Sequence, residues 1–184
     1  FRRVLFRSLN EVLTTADVFA DHPIASLVRE RGWRVALPSE LEWEKAARGG
    51  LAGAVFPWGD EADPERANYD AAEINDSSAV GCFAANGFGL YDMAGNVWEW
   101  TRSRYRNYPY DPADPKREDL LAGNDVLWVV RGGSWDGHRG LARCAFRVVE
   151  PPYLAGSCFR LAGYCLGAFR RQARAVPGEV VSYL

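Results

Sequence analysis

Two acidic residues, Asp92 and Glu99, stand on either side of Gly95 in the run DMAGNVWE. Because glycine permits a tight reversal of the backbone, both carboxylates can reach one hard cation whose other ligands are backbone oxygens. Calcium is therefore the cofactor that these residues favour. In the alternative interpretation the two carboxylates cap turns or pair with Arg131, and the sequence leaves both interpretations open.

The sulfur and imidazole side chains do not form a recognisable catalytic pattern. The chain has four cysteines and two histidines: Cys82, Cys144, Cys158, Cys165, His22 and His138. The cysteine spacings match neither a zinc site nor a dithiol motif, so we expect buried free thiols. A lone histidine is more often a hydrogen-bonded polar residue than a metal ligand. No Ser/His/Asp constellation or phosphate-binding loop accompanies them.

Two helices are predicted ahead of these residues. Residues 23–31 (PIASLVRER) carry an apolar face, begin with proline and end before Gly32, which is typical of a short amphipathic helix. Residues 39–48 begin with SELE, a capping box in which the Ser39 hydroxyl and the Glu42 carboxylate satisfy each other's backbone amides. From residue 50 onward the helical period disappears.

Short strands and long loops are expected in the remainder. The predicted strands are 97–102, 127–131, 145–149 and 159–162, where aromatic and branched residues concentrate. The Pro-, Asp- and Tyr-rich segment 105–125 is predicted to be a surface excursion. Three aromatic plates and one arginine beside these strands are expected to be structural: Trp98, Trp100, Trp135 and Arg131. The arginine, followed by two glycines, suits burial against carbonyls or carboxylates.

Composition excludes some classes of protein. The 184 residues are 48% hydrophobic with a net charge of −2, which favours one globular domain and argues against nucleic-acid binding. No apolar run is long enough to cross a membrane and no signal peptide is visible, so we expect a soluble protein that does not act at a membrane. The cellular compartment stays open.

Five segments, in order, resemble the sulfatase-modifying-factor family, which includes the formylglycine-generating enzymes. They are LPSELEWEKAARGG (37–50), FPWGD (56–60), ANGFGLYDMAGNVWEWT (85–101), VVRGGSWD (129–136) and CFRLA (158–162). The resemblance implies an α+β, C-type-lectin-like fold with low regular secondary structure, two helices near the N-terminus and a small twisted antiparallel sheet. We expect an N-terminal segment at 1–22, truncated or artefactual at 1–8, the family domain at 23–162, incomplete at its N-terminus, and a solvated tail at 163–184.

The resemblance also assigns metal ligands. It implies that calcium binds the side chains of Asp92 and Glu99 and the carbonyls of Gly95 and Val97. A second calcium site would begin at Asn68 and Tyr69. The later ligands of that second site fall where this chain is shorter, and Asp76 is a guess for one of them.

Family members that oxidise a sulfatase cysteine to formylglycine hold copper with two cysteines after the RGGS run. This chain has Gly137 and Ala142 at the matching positions. Copper(I) selects soft thiolates, which neither residue can supply, so copper is not expected. Cys144 is the remaining weak candidate, since its pairing with Cys158 could in principle restore a two-thiol site.

The same resemblance extends to the variable proteins of diversity-generating retroelements, which share this fold and the RGGSW sequence. In those proteins scattered positions after RGGSW are randomised at template adenines. Many residues between 136 and 158 are types reachable from an asparagine codon, and these nine are predicted to form a binding surface: Asp136, His138, Leu141, Phe146, Val148, Val149, Tyr153, Leu154 and Ser157. Residues 143–145 and 147 would form the fixed frame.

Two functions therefore stand at this point. The first is a non-catalytic module that binds a protein or peptide ligand, with or without diversification of 136–158. The second is an active sulfatase-maturation oxidase. Ordinary drift of a non-catalytic family member would also account for the composition of 136–158.

Overall fold

The computed structural model describes residues 11–13, 15–16, 25–26, 28–29, 33–111, 113–114, 116–118, 126–150, 159–160 and 167–170. These residues belong to two compact units. One unit comprises Phe1–Leu37 with Cys165–Tyr183, and the other comprises Pro38–Tyr164 with Leu184.

Six strands and one eight-residue helix are present among the described residues. The helix α1 is Glu40–Ala47, and the strands are β1 (Trp33–Ala36), β2 (Trp98–Arg104), β3 (Trp128–Arg131), β4 (Val148–Glu150), β5 (Phe159–Arg160) and β6 (Gly167–Arg170). A short 3-10 helix covers Asp70–Ala72. The regular secondary structure is thus sparse and mixed, as the sequence predicts.

In the first unit, β1 pairs with β6 in antiparallel register, with Val35 opposite Ala168. This pairing differs from the sequence prediction, which placed 163–184 in a solvated tail. Residues 25–26 and 28–29 are helical and lie within the first predicted helix, whose other residues fall outside the described set. Ala25 and Val28 are buried, as the apolar face of that helix requires.

Helix α1 begins as its sequence predicts. Ser39 Oγ accepts from Glu42 N at 3.2 Å and Glu42 Oε2 accepts from Ser39 N at 2.7 Å, so both halves of the capping box form. Arg48 is the C-cap. Trp43 projects from the middle of the helix and is completely buried, which fixes the helix against the sheet of the second unit.

That sheet has the strand order β4-β3-β2-β5. The pairs β4–β3 and β3–β2 are antiparallel, whereas β5 runs parallel to β2. In the β2–β3 register Glu99 stands opposite Arg131. The tryptophan-rich segment ending in Glu99 and the RGGSW segment therefore belong to one platform.

The loop between residues 92 and 99 approaches its neighbours closely. Gly95 has φ +71°, and a Cβ atom there would lie 2.0 Å from the Asn68 carbonyl oxygen. Asn96 has φ +64°, and its N–H donates to the same carbonyl at 2.6 Å. Only glycine fits the first position, which explains the sequence Gly-Asn at this turn.

The segment 105–118 lies at the surface, as its composition predicts: residues 105–109, 111, 113 and 116 are exposed. Arg117 is the exception among its described residues, because it is 2% exposed and its Nη1 lies 2.6 Å from Glu40 Oε1 on α1. The backbone N–H of Arg104 donates to the Arg117 carbonyl at 2.8 Å. The buried ion pair anchors this surface segment to the core.

Candidate functional site

The predicted calcium ligands Asp92 and Glu99 are both buried carboxylates, 8% and 2% exposed. Asp92 has φ +54°, and its Oδ2 accepts from Gly81 N at 3.0 Å. Glu99 Oε2 accepts from the indole Nε1 of Trp43 at 2.6 Å. The contact of Asp92 with a backbone N–H is of the turn-capping kind that the alternative interpretation predicts, whereas the partner of Glu99 is a tryptophan indole. The calcium ligands stay a prediction.

The second predicted site is centred on Asn68, which is 1% exposed. Its Nδ2 donates to the Asp76 carbonyl at 2.9 Å, so the structure brings Asp76 beside Asn68 through its backbone. Its Oδ1 is buried without a hydrogen-bond partner. An orphaned buried oxygen is unfavourable unless water or a cation occupies the adjacent space. The carbonyl of Tyr69, the other predicted ligand, accepts from Ala72 N at 2.8 Å.

Asn96 joins the two predicted calcium loops, a role that the sequence analysis missed. Its side chain accepts from Ser78 N at 3.0 Å and donates to Ser78 O at 3.1 Å. Its carbonyl accepts from Trp135 N at 2.9 Å. An asparagine after a glycine in a tight turn is a signal for such bridging. The loop is therefore rigid with or without an ion.

The positions that match the copper-binding cysteines are enclosed. Gly137 is buried, and a Cβ atom there would lie 3.2 Å from Leu141 Cδ1 and 3.3 Å from Ser134 O. Ala142 is 2% exposed and belongs to an apolar cluster. The other members of that cluster are Phe56, Ala67, Tyr69 and Ala94. Neither position presents a polar or sulfur atom.

Cys144 is free and fully buried. Burial raises the pKa of its thiol to about 11. A thiol with that pKa is protonated at neutral pH and is a poor nucleophile and metal ligand. Its proposed partner Cys158 lies outside the described residues, as do Cys165 and His22. Cys82 is free and exposed.

The nine predicted surface residues divide into three groups. Asp136 and His138 are exposed. Four others are half-buried, namely Leu141, Phe146, Val148 and Val149, and three lie outside the described residues, namely Tyr153, Leu154 and Ser157. Phe146 packs on Trp98, with ring centroids 6.2 Å apart. Among the expected frame residues Cys144 is buried and Arg147 half-buried, whereas Arg143 and Ala145 are exposed.

Arg131 is completely buried. Its Nη2 lies 2.5 Å from Glu44 Oε2 and donates to Cys144 O at 2.9 Å, while Nη1 donates to Ala145 O at 3.2 Å. The guanidinium also lies 5.2 Å from the Trp43 ring centroid. The arginine thus holds the chain that carries the predicted binding surface onto α1.

A second buried cluster was not predicted. Glu40, 1% exposed, contacts Arg117 and also Arg147, whose Nη2 lies 3.1 Å from Oε1. The guanidinium of Arg147 lies 4.7 Å from the ring centroids of both Tyr105 and Tyr108. The partners are far apart in sequence, so local patterns carry no signal for this cluster.

An open cleft of about 410 Å³ lies beside the turn that follows Trp135. Tyr69, Asp70, His138 and Arg139 supply its polar groups. The remaining lining residues are small and apolar: Ala62, Pro64 and Ala71. Asp70 N donates to Gly137 O at 3.1 Å and so ties the two walls together. Of the polar lining residues the sequence analysis had singled out only Tyr69, as a metal ligand, and His138.

Comparison with known proteins identifies the class. The sulfatase-modifying factor enzyme 1-like domain family matches residues 9–162, which starts upstream of the predicted domain and ends at its predicted last residue. The chain therefore belongs to this family, and the predicted resemblance is confirmed. The predicted fold class is confirmed as well, because the solved structures that match include family-like folds.

Individual relatives carry several names. The chain is 42% identical over 115 residues to the inactive C-alpha-formylglycine-generating enzyme 2 of Bos taurus, covering 56% of this chain and 33% of that protein. It is 48% identical over 138 residues to the formylglycine-generating enzyme of Thermomonospora curvata, covering 63% and 44%. It is 38% identical over 125 residues to the serine/threonine-protein kinase pkn1 of Chlamydia pneumoniae, covering 67% and 20%.

Among solved structures, Treponema denticola variable protein 1 superposes with a TM-score of 0.59 at 28% identity, covering 70% of this chain and 46% of that one. PvdO from Pseudomonas aeruginosa superposes with a TM-score of 0.56 at 29% identity, covering 74% and 54%. The chain spans less than half the length of the curated relatives named above. No helix among the described residues is long and apolar enough to cross a membrane.

Proposed function

We propose that this chain is a non-catalytic member of the sulfatase-modifying-factor family and that it binds a protein or peptide ligand through residues 136–158. The observation that carries the proposal is the enclosure of Gly137 and Ala142, which stand where the oxidases of the family hold copper. The relatives of the chain include a protein named inactive C-alpha-formylglycine-generating enzyme 2, which supports the same conclusion. The opposing proposal is an active oxidase.

The chemistry of the neighbouring sulfur strengthens the non-catalytic proposal. Copper(I) needs thiolate ligands, and Cys144, with its pKa raised to about 11 by burial, holds its proton at neutral pH. Its carbonyl is already engaged by Arg131, and its N–H donates to Val55 O at 2.8 Å. Both backbone bonds keep the residue in the core.

A copper(I) titration against a coloured chelator tests this proposal. The unmodified chain should leave the chelator complex intact, whereas the double variant G137C/A142C should withdraw copper because it restores two thiols. The variant G137S/A142S is the matched control, since it adds side chains of similar size without sulfur. Withdrawal of copper by the unmodified chain, abolished by Cys144→Ala, would overturn the proposal in favour of the oxidase.

We further propose that the domain binds calcium. Asp92 and Glu99 would contribute carboxylate oxygens and Gly95 and Val97 backbone oxygens, while the orphaned Oδ1 of Asn68 supports a second site. These are the hard ligands that calcium prefers, and a bound ion would hold the loops together without taking part in chemistry. A ligand that binds only the folded protein raises its melting temperature. Equal melting curves with calcium and with a chelator would refute this cofactor.

Diversification of residues 136–158 is a second candidate, favoured by the likeness to Treponema denticola variable protein 1. It predicts a reverse-transcriptase gene near the gene for this chain. It also predicts a near-copy of codons 131–160 that differs only at adenines. Absence of both from the neighbouring DNA would leave drift as the origin of this segment.

A further inference from the structure

The cleft beside residues 138 and 139 holds hydrogen-bond donors that the fold does not use. Arg139 is exposed, and its guanidinium makes no ion pair or hydrogen bond with any residue that the structure describes. It differs in this from Arg131 and Arg147, whose guanidinium groups contact carboxylates or carbonyls. A guanidinium in a cleft with no internal partner is free to bind an anionic group of a ligand.

His138 is oriented by its own turn. Its Nδ1 accepts from Gly140 N at 3.1 Å, so the ring N–H lies on Nε2. This leaves an N–H donor on an exposed ring that lines the cleft. Gly140 permits the arrangement, because a Cβ atom there would lie 2.7 Å from the His138 ring.

Tyr69 supplies a third group. Its side chain is 3% exposed. Its phenolic O–H is a hydrogen-bond donor at the wall of the cleft.

Asp70 is the acidic counterpart in the same cleft. Its Oδ1 accepts from Ala71 N at 2.7 Å, so part of its acceptor capacity is used locally. The donors therefore outnumber the available acceptors. This balance favours a partner that supplies hydrogen-bond acceptors, as a carboxylate does, and the cleft volume is large enough for a few atoms of a side chain with its backbone.

We infer that this cleft is a recognition subsite for a carboxylate of the peptide ligand, with Arg139 as the principal contact and His138 and Tyr69 as additional donors. The inference rests on the proposed function, because it specifies what one end of the 136–158 surface recognises. The carboxylate can belong to an acidic side chain or to a chain terminus. Both present the planar pair of oxygens that a guanidinium binds through two hydrogen bonds.

Titrations with four short peptides, followed by amide resonances in ¹⁵N-labelled protein, test the inference. The probes are acetyl-Ala-Glu-Ala-amide, its Gln and Lys counterparts, and acetyl-Ala-Ala-Ala with a free carboxyl terminus. Saturable shifts at Asp70, His138 and Gly140 are expected with a carboxylate probe and not with the Gln or Lys peptide. The carboxylate probe that binds more tightly shows whether the site prefers an acidic side chain or a chain terminus.

Two variants then test whether Arg139 makes the contact with the carboxylate. Arg139→Gln should weaken the carboxylate probe by about tenfold, because it removes a charge-assisted bidentate contact. Lys45→Gln is the matched control, since it removes an exposed positive charge on α1 and should leave the titration unchanged. Equal shifts with the Glu and Gln peptides, preference for the Lys peptide, or retention of affinity in Arg139→Gln would each overturn the inference. The copper titration is independent, so failure of one proposal is distinguishable from failure of the other.

Discussion

Arg131 and Arg139 lie in the same stretch of chain, yet the fold treats them in opposite ways. Arg131 is fully buried and its guanidinium contacts a carboxylate, two carbonyls and a tryptophan ring. Arg139 is exposed beside a cleft, and its guanidinium contacts none of the described residues through a hydrogen bond or ion pair. The first arginine builds the platform, and the second is available to a ligand.

This difference shows how a small domain can carry a changeable surface. The β2–β3 platform fixes the backbone at residue 131, and Asn96 holds the next turn through Trp135. Asp136, His138 and Arg139 are therefore exposed on a fixed base, and their side chains can vary without loss of the fold. Stability and recognition are assigned to different positions of one segment.

Substitution of each arginine by alanine should give the largest difference in stability between the two positions. Arg131→Ala leaves Glu44 Oε2 and two carbonyls without this donor, while Glu44 Oε1 keeps its contact with Arg48, and should lower the free energy of unfolding by about 3 kcal/mol. Arg139→Ala should change it by less than about 0.5 kcal/mol. Urea denaturation followed by tryptophan fluorescence measures both. Equal losses of unfolding free energy would show that Arg139 contributes to the fold as much as Arg131 does.

Two glycine variants test the close approach of the loop at Gly95 to Asn68. Gly95→Ala and Gly53→Ala both place a side chain at positive φ, +71° and +74°, but only the first meets an obstacle, Asn68 O at 2.0 Å. Gly53→Ala should cost about 1 kcal/mol of unfolding free energy, whereas Gly95→Ala should cost about 3 kcal/mol. Similar losses in the two denaturation curves would mean that the approach to Asn68 is not needed.

Thiol reactivity tests the enclosure of the segment next to the cleft. In the native protein iodoacetamide should modify Cys82 and spare Cys144, because burial raises the Cys144 pKa to about 11 and removes the thiolate. In denaturant both should react. Peptide mapping by mass spectrometry distinguishes the sites. Rapid modification of Cys144 in the native protein would show that its thiol is accessible to solvent and not enclosed.

The smallest effect concerns Glu118, whose pKa is raised mainly by burial. Because the folded protein binds the carboxyl proton more tightly than the unfolded chain, protonation stabilises the fold at pH values below the ordinary carboxyl pKa. This contribution is lost as the pH rises through the pKa of the folded state. Glu118→Gln keeps an acceptor for the Ser103 hydroxyl, which donates to Glu118 Oε1 at 2.6 Å. The variant should flatten the pH dependence of unfolding in the weakly acidic range. An unchanged profile would indicate that Glu118 titrates normally.

Local signals in the sequence account for the parts of the fold that were predicted. The capping box at Ser39 and Glu42 involves residues three positions apart, and the strand at 98–104 follows from its aromatic content. Both depend on short local patterns. The proximity of Glu99 to Arg131 was one of the interpretations left open for that carboxylate, and the strand register places the two residues opposite each other.

The parts that escaped prediction depend on distant contacts. The burial of Arg117 requires Glu40, 77 residues away, and β6 is a strand because β1 pairs with it. The cleft joins Tyr69 and Asp70 to His138 and Arg139, two loops whose proximity no local pattern indicates. The residues next to an arginine in the sequence do not indicate whether its side chain will be buried or exposed.

The central claim is that the enclosed platform supports binding without oxidase chemistry. Its most direct measurement is aldehyde formation on a cysteine-containing sulfatase peptide, in the presence of copper(I), a thiol reductant and oxygen. The Thermomonospora curvata formylglycine-generating enzyme serves as the parallel positive control. The account predicts aldehyde with the control enzyme and none with this chain, whereas aldehyde formed by this chain in proportion to its concentration would contradict it.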